Sequence, residues 1–133
     1  MPLATPAQFL NLDLVLKSSS GLSEIIKHFD EKALVLSHHE YNGEWTLVLE
    51  LAEEELGHNP SQYTERFLAI ITEFPDDIRD AWKACTSRTF AYGFNGGSNS
   101  PALETAISAD LLLQIGQVSA DIGITVYPFR QPS

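Results

Sequence analysis

The sequence predicts an α+β domain, a mainly antiparallel sheet covered by helices, and three observations predict it. Asn42-Gly43 joins two apolar-alternating runs within Ala33–Leu51, the pattern of a β-hairpin with a two-residue type I′ turn. Tyr63, Phe67, Ile70, Ile71 and Phe74 recur at helical spacing, as do Leu111, Ile115 and Val118. Near the two ends, Leu10–Leu16 and Ile122–Val126 alternate with period two, as half-buried strands do. The resulting order is β-α-β-β-α-α-β-β-α-β. It has a ferredoxin-like βαββαβ start followed by a closing βαβ unit that extends the sheet or builds a second small layer.

Residues 1–8, with Pro2 and Pro6, read as a loose lead-in. In the first strand Leu10, Leu12, Leu14 and Leu16 alternate with Asn11, Asp13, Val15 and Lys17. Ser18-Ser19-Ser20-Gly21 ends it and offers hydroxyls to cap a short helix, whose apolar face is Leu22, Ile25, Ile26 and Phe29. The hairpin turn sets Tyr41 opposite Glu44, and pairing outward from it puts Glu40 on Trp45, His38 on Leu47, Leu36 on Leu49 and Leu34 on Leu51. Leu34, Leu36, Trp45, Leu47, Leu49 and Leu51 then share one face. A slip of one residue would turn the leucines to water.

Glu53-Glu54-Glu55 and Gly57-His58 lead out of the hairpin. Asn59 is the expected N-cap of the next helix, with Pro60 at N1 and Gln62 at N3 to close a capping box. Pro75 stops that helix. Asp76 and Asp77 open another, with Ile78, Ala81, Trp82 and Cys85 inward and the carboxylates complementing the helix dipole. Phe90, Tyr92 and Phe94 alternate along a strand, Asn95–Pro101 turns, and Leu103, Thr105 and Ile107 suggest a partner strand. Ser108 caps the last helix, in which Leu111, Leu112, Ile115 and Val118 face inward. Gly116 inside that helix costs about 1 kcal/mol relative to Ala, and close packing against the sheet is its expected reason.

The 133 residues suit one domain, 1–133, and a hydrophobic content of 44% suffices for a core. No apolar run approaches the ~20 residues of a membrane helix. MPLATPAQF lacks the basic and apolar segments of a secretory signal, so a cytoplasmic location is expected, with no membrane partner. A single cysteine excludes an internal disulfide framework. A net charge of −10 argues against nucleic acid; it either only keeps the chain soluble or steers it toward a basic partner. From Thr89 onward the only charged side chains are Glu104, Asp110, Asp121 and Arg130. That nearly neutral third is either deeply buried or a contact surface.

Ser108-x-x-Leu111-Leu112-x-x-Ile115 followed by Ile122-x-Ile124-x-Val126-Tyr127 resembles the end of a bacterial family of small uncharacterised α+β proteins. That family is known as a domain of unknown function, and some of its members are immunity-protein-like. The resemblance covers the last quarter in detail and the rest in element order. It implies a fold and an absence of known chemistry, and it brings no catalytic residues.

Each candidate for chemistry has a competing structural role. His38 and His39 point to opposite faces of a strand and cannot share a metal there, whereas His38 and Glu40 share a face. His38, Glu40 and Trp45 at the hairpin tip therefore form one candidate ligand pocket. Cys85 lies at a helix C-terminus on the apolar stripe, which disfavours a thiolate nucleophile. Asp76, Asp77 and Asp80 are explained by capping and solvation, and Gly93-x-x-Gly96-Gly97 lacks the lysine of a phosphate loop. No cofactor, metal site or catalytic set is expected. Arg88, Tyr92, Phe94, Asn95 and Asn99 form the candidate partner-binding site, aromatics and an arginine beside an adaptable turn, and the competing role of the alternating aromatics is the core face of a strand under the long helix. Two readings stay open: a non-enzymatic protein-interaction module with a basic partner, of immunity type, or a small-ligand binder or enzyme using a pocket at the hairpin tip. A homodimer through a sheet edge is compatible with either.

Overall fold

A computed structural model describes residues 4–52 and 59–129. Five strands, β1 (Gln8–Ser18), β2 (Ala33–Tyr41), β3 (Glu44–Leu51), β4 (Ser87–Asn95) and β5 (Asp121–Tyr127), form one sheet in the order β2-β3-β1-β4-β5. Neighbours are antiparallel except β4 and β5, which run parallel. Four helices are interspersed: α1 (Ser23–Phe29), α2 (Pro60–Thr72), α3 (Asp76–Lys83) and α4 (Ala109–Gln117). The protein is α+β, and β5 extends the sheet rather than starting a second layer. The run Glu53–Glu55 and His58 lie outside the described residues.

Side chains at alternate positions of β1, β3 and β4 (Leu12, Leu14, Leu16; Leu47, Leu49, Leu51; Phe90, Tyr92, Phe94) are buried in one cluster with residues of all four helices. The helices thus cover one face. The other face stays open to solvent, with Asp13, Val15, Thr46, Val48, Glu50, Thr89 and Ala91 half-buried along it.

The hairpin tip follows from Asn42 and Gly43, whose φ values of 51° and 81° are those a type I′ turn demands. The expected register holds from Tyr41–Glu44 through His38–Leu47, then shifts between Val35 and Ser37. There Leu36 is the extra residue of a β-bulge, Val35 pairs with Leu49, and Leu34 pairs with Glu50 on the open face. Leu34 and Leu36 are therefore exposed, contrary to the sequence pattern. A second irregularity at Leu10 has the same effect: Phe9, paired with Phe94, takes the buried place expected of Leu10. The lead-in is held from Thr5 on, by reciprocal backbone bonds to Ser98 at 2.8 Å.

Asn59 caps α2 through its side-chain oxygen, and Ser108 caps α4 by accepting from the Leu111 amide. The serines before α1 do not cap it. The Leu22 amide at its start instead donates to His38 Nε2 at 3.4 Å, from the neighbouring hairpin. Residues 101–108 form no strand. They carry the chain from β4 to α4, passing α2 where Ser61 Oγ donates to the Ala106 carbonyl, because the parallel β4–β5 pair requires a crossover. Among the described residues no helix is long and apolar enough to cross a membrane.

Candidate functional site

The residues singled out around β4 have structural roles. Tyr92 and Phe94 lie under the helices, 3% and 8% exposed, so a partner docking on the folded chain does not reach them. The Tyr92 hydroxyl is 2.6 Å from Thr64 Oγ1, tying β4 to α2. Burial pushes the phenol up from its ordinary pKa.

Arg88 is engaged in the same way. Its Nε donates to the Ser119 carbonyl at 2.8 Å, and Nη1 donates to the Trp82 and Cys85 carbonyls. These oxygens lie at the C-terminal ends of α3 and α4, where the helix dipole favours a cation. The guanidinium is a clasp between two helices rather than an anchor for a partner. Asn95 closes the following turn by accepting from the Gly97 amide, and Asn99 adopts a positive φ of 53°. Burial thus takes Tyr92 and Phe94 out of the expected contact surface and the three carbonyls occupy Arg88, whereas Asn95 is half-buried and Asn99 exposed.

At the hairpin tip, the His38 ring lies 4.8 Å from the Trp45 ring and its Nε2 caps α1. Glu40 is exposed beside them. Cys85 is buried, and desolvation pushes its thiol pKa up while the Arg88 charge opposes this, so it is no poised nucleophile. No group of three or more His, Cys, Asp or Glu able to hold a metal ion occurs among the described residues.

Two features of the surface were not singled out by the sequence. Asp13 faces Glu50 across β1 and β3 on the open side of the sheet. One Asp13 oxygen is buried without a partner, and burial pushes its carboxyl above the ordinary 3.8, opposed by hydrogen bonding from Asn11. Glu50 is pushed above its ordinary 4.5 by burial and by the Asp13 charge. Nothing in the sequence brings the two together until β1 is known to pair with β3.

The second feature is the β5 edge. Ile122, Ile124 and Val126 align with Phe90, Tyr92 and Phe94 and so point to the helix-covered side. They are nevertheless 40%, 68% and 59% exposed, because among the described residues no helix covers the sheet beyond α4. Gln114 and Gln117 of α4 face a cavity against α2, so at 100° per residue Leu112 and Gly116 fall on the side toward the edge. Leu112 is 45% exposed, and a Cβ added at Gly116 would meet nothing within 4 Å. The expected packing of Gly116 against the sheet and the inward place of Leu112 are thereby overturned: both border an open strip. From Ile122 to Tyr127 this strip carries no charge. The alternation of Ile122, Ile124 and Val126 was the available signal, although it reads equally as core.

No family model, curated protein or solved structure matches the chain.

Proposed function

We propose that the chain is a protein-interaction module that receives an extended strand of a partner on the outer edge of β5. The observation that carries this reading is the exposed, uncharged alternation Ile122-Gly123-Ile124-Thr125-Val126 on an edge strand. Edge strands offer a row of backbone donors and acceptors, and proteins that avoid pairing put charges, proline or a bulge there. β5 has none of these between Ile122 and Tyr127. Strand addition takes its affinity from that backbone and its specificity from alternate side chains.

Leu112, Ile122, Ile124 and Val126 together expose roughly 400 Å², backbone included, about half of what one partner gives a standard interface. The charge of −10 favours a basic partner over a second copy, since two copies would repel. Neutralisation of a toxin, the role of the immunity-like members of the family that the chain's end resembles, is one use of such an edge.

The test pairs the wild-type chain with Ile124→Lys, which places a charge on the edge without touching the core. Affinity capture from source lysate should yield a stoichiometric basic protein with wild type and lose it with the variant. Hydrogen exchange of the complex should protect Ile122–Tyr127. Capture that survives Ile124→Lys, or a dimer of the chain alone by light scattering, overturns the proposed occupant.

A further inference from the structure

A cavity of about 400 Å³ opens where the C-terminal ends of α2, α3 and α4 converge. It lies on the side of α4 opposite the β5 strip and is independent of the reading above. Its volume falls within the range of small-molecule sites, roughly 300–1,000 Å³. Ile71, Phe74, Trp82 and Val118 supply apolar wall.

The polar lining is unusual for so acidic a protein. Arg79, Lys83 and Arg88 are three of the chain's eight basic side chains, and no carboxylate is among the described residues that line the cavity. Helix C-termini would normally make such a place negative. Here the carbonyls are answered: Arg88 binds those of Ser119, Trp82 and Cys85, and Arg79 Nη2 donates to the Phe74 carbonyl at 3.1 Å. Asp76 approaches Arg79 only to 4.0 Å and is fully exposed, where water screens it. Lys83 has no ion pair or hydrogen bond among the described residues. The Gln114 amide is held by Asp110 at 2.9 Å, and Gln117 adds a second amide to the lining. The positive charge thus exceeds what the helix ends require.

We infer that this cavity binds a small, mostly apolar organic carboxylate, its anionic group held by Lys83 and Arg79 and its body against Phe74, Trp82 and Val118. An apolar wall with a few convergent polar groups is the usual composition of a small-ligand site. The ammonium of Lys83 supplies a mobile charge and the Arg79 guanidinium a planar one.

The experiment is a titration of the ¹⁵N-labelled chain with 4-phenylbutyrate, with 4-phenylbutan-1-ol as its neutral counterpart and 4-phenylbutylamine as its cationic one. Saturable shifts of the Trp82 indole N–H and of the Gln117–Ser119 amides are expected with the carboxylate, and binding of the alcohol at least about tenfold weaker. Lys83→Ala, which breaks no side-chain hydrogen bond or ion pair among the described residues, should weaken the carboxylate about fivefold and change Tm little. Arg79→Gln should weaken it as well. The inference is overturned if these signals do not saturate, if alcohol or amine binds as well as the carboxylate, or if Lys83→Ala leaves the affinity unchanged. Shifts confined to Ile122–Val126 would also overturn it, by placing the probe on the β5 edge.

Discussion

Thr64 Oγ1 and the Tyr92 hydroxyl meet at 2.6 Å in the buried layer between α2 and β4, while Thr64 also donates to the Pro60 carbonyl one turn back. Both cannot be satisfied by Thr64's single proton, so Tyr92 donates to Thr64 and Thr64 to Pro60. Tyr92→Phe removes the first bond and leaves the second. It should cost about 1 kcal/mol, whereas Tyr92→Ala empties a core position and should cost about 3–5 kcal/mol. Urea unfolding of the two variants distinguishes a core tyrosine from a surface one, for which both costs would be small.

Arg88→Ala should destabilise by about 2–3 kcal/mol, because three carbonyls at two helix ends lose a charged donor. Arg88→Lys keeps the charge but not the fork, and should recover only part of the loss. The denaturant midpoint checks both. A wild-type midpoint for Arg88→Lys would mean that charge alone matters there.

The Asp13–Glu50 pair gives the open face a pH dependence of definite sign. Both carboxyls have folded pKa values above the ordinary 3.8 and 4.5, so the folded state binds protons more readily than the unfolded one. Their contribution favours folding most below the unfolded values and is lost as pH rises through the raised folded ones. Asp13→Asn should therefore raise Tm at pH 7, with the gain shrinking as pH falls through that window. Melting curves from pH 3.5 to 7.5 test this, and a gain that grows on acidification would contradict it.

Two glycines should respond in opposite directions to alanine. Gly116 sits inside α4 with open space around it, so Gly116→Ala should stabilise by about 1 kcal/mol. Gly97 has φ of 74°, and a Cβ there would lie 2.6 Å from the Ala7 backbone nitrogen and 2.9 Å from the Thr5 carbonyl oxygen. Gly97→Ala should cost more than about 1 kcal/mol and loosen the Thr5–Ser98 bridge. Paired thermal melts of the two variants suffice.

The sequence showed most where contacts are local. The Asn42-Gly43 turn and the pairs nearest it were legible because turn chemistry fixes register, and Asn59 and Ser108 announce their helices. Register failed beyond Leu36, and at Leu10, because a bulge inserts a residue without a sequence mark. Phe90, Tyr92 and Phe94 alternate as either core or contact surface would, and only the placement of α2 and α4 decides for core. The opposite holds at Ile122, Ile124 and Val126, where the same pattern stays uncovered. Arg88 and the Asp13–Glu50 pair depend on strands and helices distant in the chain, and the cavity draws on three helices, so no local pattern could show them.

The central place of β1 has a consequence for how the chain is made. β1 lies between β3 and β4, and Thr86 already reaches back to the Lys17 carbonyl across a separation of 69 residues. During synthesis β1, β2 and β3 can pair as soon as they emerge, but the far side of β1 must wait for β4. Loop closure over that distance slows the completing step. In the interval, Leu12, Leu14 and Leu16 sit on a half-built sheet with one edge bare. A nascent chain paused before Ser87 is therefore the form most exposed to mispairing, and synthesis speed through α2 and α3 sets how long that form persists.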